Sequence, residues 1–241
     1  MITIRIAELN IGIDNKYKYI EHFASDYLTD AEPEFVVRAE DEEIEKEKGM
    51  LDVEFSPGYL ESIVVYRKIA EVLPSYDAFV FHGAVLNMDG EAYVFTAKSG
   101  VGKTTHTRLW LKHFGDRVHY LNGDKPIIRF FDGVPYACGT PWQGKENYGT
   151  NELAPLRAIA FVRRGEKNSA TLVTPDKVTT DLITQMYLPR RDAATLVSTM
   201  KMANRLVGSL RLVELKVNMQ DTAASIAHRV LSGEVDSLCE E

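Results

Sequence analysis

The chain has 241 residues, 45% of them hydrophobic, which suits one large domain, or one domain with a smaller appendage, around a real core. With 35 acids against 28 bases the net charge is −7, and no dense basic stripe interrupts it, which argues against a nucleic-acid partner. The apolar runs fall short of the roughly 20 residues that cross a bilayer, and residues 1–5 lack the charged and then apolar regions of a signal peptide. No membrane partner and a cytoplasmic address are therefore expected.

Ile2, Ile4 and Ile6 alternate with Thr3 and Arg5, the period-two signature of a half-buried strand. A helix is expected over residues 17–27 and a short strand over residues 35–37. Residues 40–48 are charged, with Glu42 and Lys46 four apart, and read as a solvated helical face. Ser56 is placed to cap the next helix, Pro57 suits its first position, and Pro74 ends it. Tyr59, Ile63, Tyr66, Ala70 and Leu73 then share one face, expected to be core. Residues 1–75 read together as a small α/β region.

From Ala78 the pattern changes to strands. Residues 78–86 and 91–96 flank Asp89-Gly90, a strong two-residue hairpin signal. With those two as central turn residues, Met88 opposes Glu91, and the same register carries His82 opposite Ala97. A helix over residues 104–114 closed by Gly115 follows, then a strand over residues 118–121. Residues 127–131 and 134–137 form a hairpin about Asp132-Gly133, with further strands over residues 156–162 and 170–173. Thr174-Pro175 opens a helix to about Tyr187, and a second helix spans residues 193–207. Residues 211–217 are the last strand, and Asp221 is expected to cap a final helix. The two cysteines, Cys138 and Cys239, sit at no metal-ligand spacing and read as reduced thiols.

Ala97-Lys98-Ser99-Gly100-Val101-Gly102-Lys103-Thr104 matches the P-loop pattern, with Ala in place of the first Gly. Gly100 and Gly102 let successive backbone N–H groups turn toward phosphate oxygens, and the helix that follows adds its positive N-terminal end. Lys103 has the reach for the β- and γ-phosphates, and the Thr104 hydroxyl is a Mg²⁺ ligand by type. Residues 98–105, that is Lys98, Ser99, Gly100, Val101, Gly102, Lys103, Thr104 and Thr105, are the expected nucleotide-binding set, with ATP and Mg²⁺ as cofactors.

Two readings stand for His82: a hydrogen-bonded structural residue at a strand end, or a group that touches the γ-phosphate or moves a proton. Asp124 is either the neighbour of an Asn122-Gly123 turn or a carboxylate that holds Mg²⁺; the P-loop upstream favours the metal. Residues 139–145 form a loop rich in Gly and Pro. Trp142 and Lys145 within it are candidates to cover an acceptor or a nucleotide. Arg163 and Arg164 follow an apolar strand and read equally as phosphate partners or solvated loop arginines.

An antiparallel hairpin that enters a P-loop is unlike the parallel crossover of an ordinary P-loop NTPase. With His82-Gly83-Ala84-Val85-Leu86 ahead of residues 96–104, it resembles the kinase domain of HPr kinase/phosphorylase and the nucleotide lobe of phosphoenolpyruvate carboxykinase. The resemblance covers residues 79–124. It implies an α/β fold (α+β-like), with a mixed, largely antiparallel sheet and flanking helices, over residues 76–241. It also implies ATP with Mg²⁺, and transfer of phosphate to a hydroxyl acceptor: a serine of a small protein or peptide, or a small molecule. Lys103 and Thr104 match the family's phosphate and metal residues, His82 its His-Gly element, and Asp124 the second of two adjacent acids. Lys103, Asp124 and His82 are thus the expected catalytic residues, Thr104 and Asp124 the metal ligands, and Trp142, Lys145 and Arg163 the acceptor-side candidates. Gly123 replaces the first acid, which puts general-base catalysis in doubt and leaves open a nucleotide-responsive binding module. No close match to the carboxykinase substrate residues is present, which counts against decarboxylation. A homo-oligomer is compatible with the sequence.

Overall fold

The computed structural model describes residues 1–50, 53–98 and 100–240. Strands β1 (Ile2–Ile6) and β2 (Leu9–Ile13) form an antiparallel hairpin from Ile2↔Ile13 to Ile6↔Leu9. Its turn residues Ala7 and Glu8 have φ of 50° and 58°, the conformation that a tight hairpin between twisted strands needs. β3 (Phe35–Val37) joins parallel to β2. Gly12 permits that approach, since a Cβ there would lie 2.9 Å from a Val36 methyl.

The helix expected over residues 17–27 is shorter: α1 (Tyr19–Phe23) gives way to a 3₁₀ turn over Ser25–Tyr27. No side chain caps α1, so nothing local extends it. α2 (Asp41–Lys48) begins with a capping box between Glu40 and Glu43. α3 (Pro57–Val72) starts as expected, with the Ser56 hydroxyl accepting from the Tyr59 N–H. Its expected core face divides. Tyr66, Ala70 and Leu73 are buried, whereas Tyr59 and Ile63 are half-buried and line a cleft. The core is also met from the rest of the helix, through Leu60, Val64, Val65 and Ile69. A helix apolar on both sides offers two candidate core faces, and periodicity alone does not choose between them.

The rest of the chain builds a ten-stranded sheet. Its strands are β4 (Ala78–Val80), β5 (Ala84–Met88), β6 (Glu91–Thr96), β7 (Val118–Asn122), β8 (Ile127–Phe131), β9 (Val134–Cys138), β10 (Leu153–Arg164), β11 (Ser169–Leu172), β12 (Arg211–Val217) and β13 (Ser237–Cys239). The main path runs β13-β11-β12-β10-β6-β5-β7, and β4, β8 and β9 branch from it. β10 is parallel to β6 and β12, and the other pairings of this sheet are antiparallel. On one face α4 (Lys103–Phe114) and α7 (Thr222–Leu231) pack about Trp110; on the other, α5 (Pro175–Gln185) and α6 (Ala193–Ser209) pack about Phe79, Phe81 and Phe161. The fold is thus a mixed α/β one, mostly antiparallel, with flanking helices.

The strand expected over residues 78–86 is two strands. Between β4 and β5 the N–H groups of Phe81, His82 and Gly83 donate to Pro126, Gln185 and Asp124 carbonyls, so the ladder breaks there and β4 turns to β8. Asp221 precedes α7 without a side-chain cap bond; its carboxylate takes the Lys112 ammonium at 2.7 Å instead. Residues 1–75 share one apolar cluster with Val80, Ile127, Cys138 and Trp142, so packing is continuous across residue 75. Among the described residues, no helix is long and apolar enough to cross a membrane.

Candidate phosphate-binding cleft

The expected hairpin register is present from Met88↔Glu91 to Ala84↔Phe95, and it delivers the chain from β6 straight into the loop ahead of α4. Gly100 and Gly102 have φ of +76° and +119° with open space where a Cβ would stand. Those backbone angles, rather than lack of room, require glycine here. Arg164 donates from Nη2 to the Gly100 carbonyl at 2.6 Å and from Nε to the Val101 carbonyl at 3.4 Å. With these carbonyls taken, and no acceptor for the N–H groups of Gly100 and Gly102 among the described residues, the loop keeps donors for an anion. Ser99, one of the expected phosphate-binding residues, lies outside the described residues.

Lys103 begins α4 and is half-buried. Burial pushes its ammonium below the ordinary value; Asp124 opposes that shift and Lys125 adds to it. A partly desolvated ammonium at a helix N-terminus is short of negative charge, and a phosphate would supply it. Beneath the loop, His106 of α4 is buried, accepts from Trp110 Nε1 at 3.0 Å, and is pushed down to about 3 by desolvation.

Asp124 follows β7. The Asn122 side-chain oxygen accepts from the N–H groups of Asp124 and Lys125 at 2.9 and 2.8 Å, and its amide nitrogen donates to Thr140. The segment is thus a side-chain-closed turn, but β7 pairs with β5 and β8 with β4 and β9, so it is not the turn of a hairpin. The Asp124 carboxylate meets His82 Nε2 at 3.3 Å and Lys125 Nζ at 2.7 Å. Burial alone would raise its pKa; the bonds and charges of His82 and Lys125 outweigh that and hold it well below the usual carboxylate range. The break between β4 and β5 is what turns His82 to Asp124, since the Gly83 N–H donates to the Asp124 carbonyl at 2.9 Å.

One cleft of about 1420 Å³ brings most of the expected residues together. His82, Asp124, Lys98, Thr105 and the sequence from Gly100 to Thr104 line it, along with Trp142 and Lys145. Lys145 is exposed. Trp142 is buried, stacks on Tyr66 with ring centroids 4.0 Å apart and donates from Nε1 to the Ser62 carbonyl at 3.1 Å, so it joins α3 to the loop. Arg163 stands apart: it pairs with Asp181 and borders a separate small hollow. Successive strand residues face opposite ways, and Arg164 is the one of the pair that reaches the glycine loop.

Sequence reading missed the clamp around Asp124. Tyr66 Oη donates to the Lys125 carbonyl at 2.7 Å, and Thr140 Oγ1 to the same oxygen at 2.9 Å. Gly144 (φ +79°) has no side chain, and a Cβ there would lie 2.9 Å from Asp124 Cβ. At Gly123 a Cβ would lie 2.8 Å from the Gln143 carbonyl oxygen and 3.2 Å from that of Tyr148. Contacts over such sequence distances carry no local signal. Lys125, which pairs with the Asp124 carboxylate, was likewise not singled out from the sequence.

No family model matches the chain, and no curated protein matches it either. Among solved structures it is similar to the Hpr(Ser) kinase/phosphatase from Coxiella burnetii, with 10% identity and a TM-score of 0.30 over 53% of this chain and 96% of that one. A likeness so distant leaves the function to be read from the residues.

Proposed function

We propose that this chain is a kinase that binds ATP with Mg²⁺ and transfers the γ-phosphoryl group to a hydroxyl. The observation that carries this reading is the sharing of one cleft by the glycine loop with Lys103 and by the Asp124–His82 pair. In this reading the loop N–H groups and Lys103 hold the β- and γ-phosphates. Thr104 and Asp124 are the residues that would hold Mg²⁺, which when bound would offset phosphate charge. The acceptor oxygen bonds to the γ-phosphorus as the bond to the bridging oxygen breaks, ADP leaves, and the hydroxyl proton passes to His82. A carboxyl held far below its usual range is a weak base, whereas imidazole is the usual proton acceptor near neutral pH. His82 Nε2 faces Asp124, which leaves Nδ1 for the acceptor.

The test is transfer of labelled γ-phosphate from Mg-ATP to a panel of serine peptides, small hydroxy compounds and water. Asp124→Asn and His82→Gln are each expected to lower turnover by about 10²-fold or more. Undiminished turnover in Asp124→Asn would remove the mechanism. The filled space at Gly123 favours a second reading, a nucleotide-responsive binding module with little catalysis. ATP binding without transfer to any acceptor in the panel would select it.

A further inference from the structure

One wall of the cleft is built from rings. From the floor outward they are Tyr66, Trp142, Phe23, Tyr19, Tyr59 and Phe55, each in contact with the next. The centroid separations along the run are 4.0, 5.6, 5.6, 6.0 and 4.7 Å. All six line the same cleft as Lys103 and Asp124. The inner end is buried and tied to the catalytic turn by the Tyr66 bond to the Lys125 carbonyl. The outer end is open, with Tyr19 36% and Phe55 41% exposed.

The chemistry of the wall is one-sided. Among the described residues from α1 and α3 that line the cleft, Arg67 is the one charged side chain, and its guanidinium is bonded to Glu47 at 2.7 Å. The lysines of the cleft, Lys98, Lys103, Lys125 and Lys145, stand on the P-loop, on the catalytic turn and on the loop over residues 142–148. A small anionic acceptor needs charged partners, and the one such side chain on this wall is already paired with Glu47. At about 1420 Å³ the cleft also exceeds the roughly 300–1,000 Å³ usual for one small ligand, so it has room for a second molecule beside a nucleotide. Five consecutive ring contacts make a longer track than one aromatic compound covers. It matches several residues of extended chain at about 3.3 Å each, with alternate side chains facing one way.

We infer that the aromatic wall is the acceptor site, and that the acceptor is an extended polypeptide segment whose apolar side chains lie on Tyr19, Tyr59 and Phe55 while its hydroxyl reaches the Asp124–His82 end. This rests on the kinase reading above and adds the chemical class of its substrate. Burial of large side chains against these rings supplies affinity, and the phosphate side supplies none of the selectivity among acceptors.

The experiment uses the full chain and calorimetric titration, with a non-hydrolysable ATP analogue and Mg²⁺ present and absent. Its probes are blocked heptapeptides with one serine followed by alternate phenylalanine and leucine, and counterparts with aspartate or lysine at those positions. The apolar peptide is expected to bind at least tenfold more tightly than either counterpart. Phe55→Ala and Tyr59→Ala, both at incompletely buried positions, are expected to erase most of that preference and to leave analogue affinity within about twofold. Equal binding of all the peptides would overturn the inference. So would a loss of analogue affinity in Phe55→Ala, which would put the nucleotide base on the wall, or a dimer in light scattering that Phe55→Ala dissociates, which would put a second copy there. Failure of the analogue to bind the unaltered chain would sink the kinase reading instead, and peptide preference without nucleotide would still be read separately.

Discussion

Restoring an acid at position 123 is the sharpest perturbation the geometry offers. The expectation drawn from the sequence motif puts an acid where Gly123 stands, so on the proposed kinase reading Gly123→Asp would be the natural attempt to raise activity. The backbone forbids it. A Cβ at 123 would stand 2.8 Å from the Gln143 carbonyl oxygen, 3.2 Å from the Tyr148 carbonyl oxygen and 3.4 Å from Tyr148 Cβ. The first two are main-chain atoms, and the Tyr148 carbonyl already accepts from the Gly123 N–H at 2.7 Å. Neither can give way without moving the loop over residues 142–148, and that loop carries Trp142 and Gly144, which pack on Tyr66 and Asp124. Overpacking of this kind costs about 1–3 kcal/mol, and a carboxylate facing two carbonyl oxygens adds to it. At this chain length each kcal/mol lowers the melting temperature by about 2–4 °C. Gly123→Ala isolates the steric part, and both variants are read by thermal unfolding, analogue binding and phosphate transfer. Both are expected to melt lower, the aspartate more so, with no gain in turnover. An aspartate variant as stable as the parent and faster would refute the reasoning.

Two further outcomes follow from the same geometry. Burial holds the His106 imidazole neutral in the folded chain, down to about 3 against an ordinary value of 6.5, so its contribution is full above pH 6.5 and lost as the pH falls toward 3. Urea unfolding at pH 7 and pH 4.5 should therefore show a smaller drop in stability for His106→Gln than for the parent; equal drops would contradict this. Tyr66→Phe deletes the hydroxyl bonded to the Lys125 carbonyl at a cost of about 1 kcal/mol, and leaves Thr140 on the same oxygen. Turnover should fall with the Michaelis constant for ATP unchanged, and a changed nucleotide constant with normal turnover would argue against a positioning role.

Much of the local structure was legible because its causes are local. Asp89 and Gly90 take φ of 54° and 87°, the turn that Asp-Gly foretells, and the register from Ala84↔Phe95 outward follows from it. Ser56 and Pro57 announced α3, and Gly115, at φ 58°, closes α4. His82 shows where such reasoning stops. Continuing the register sets it opposite Ala97, but the backbone N–H groups on both sides of it leave the ladder for residues 124 and 126. The strand ends remain joined by the Thr96 hydroxyl donating to the His82 carbonyl at 3.1 Å. Asp124 was singled out because a glycine loop of the P-loop pattern lies upstream of it. Its setting was not, because Tyr66, Thr140 and Gly144 reach it only through tertiary packing. The α3 rings read as core for the same reason, since helical spacing reports a shared face and not what that face meets.

Calorimetric titration of the parent and of Lys103→Ala with a non-hydrolysable ATP analogue and Mg²⁺ bears most directly on the proposed phosphate cradle. A charge-assisted contact is worth about 1.5–3 kcal/mol, so the variant should bind about 10–100-fold more weakly with its melting temperature little changed. Equal affinity in the two proteins would contradict the account.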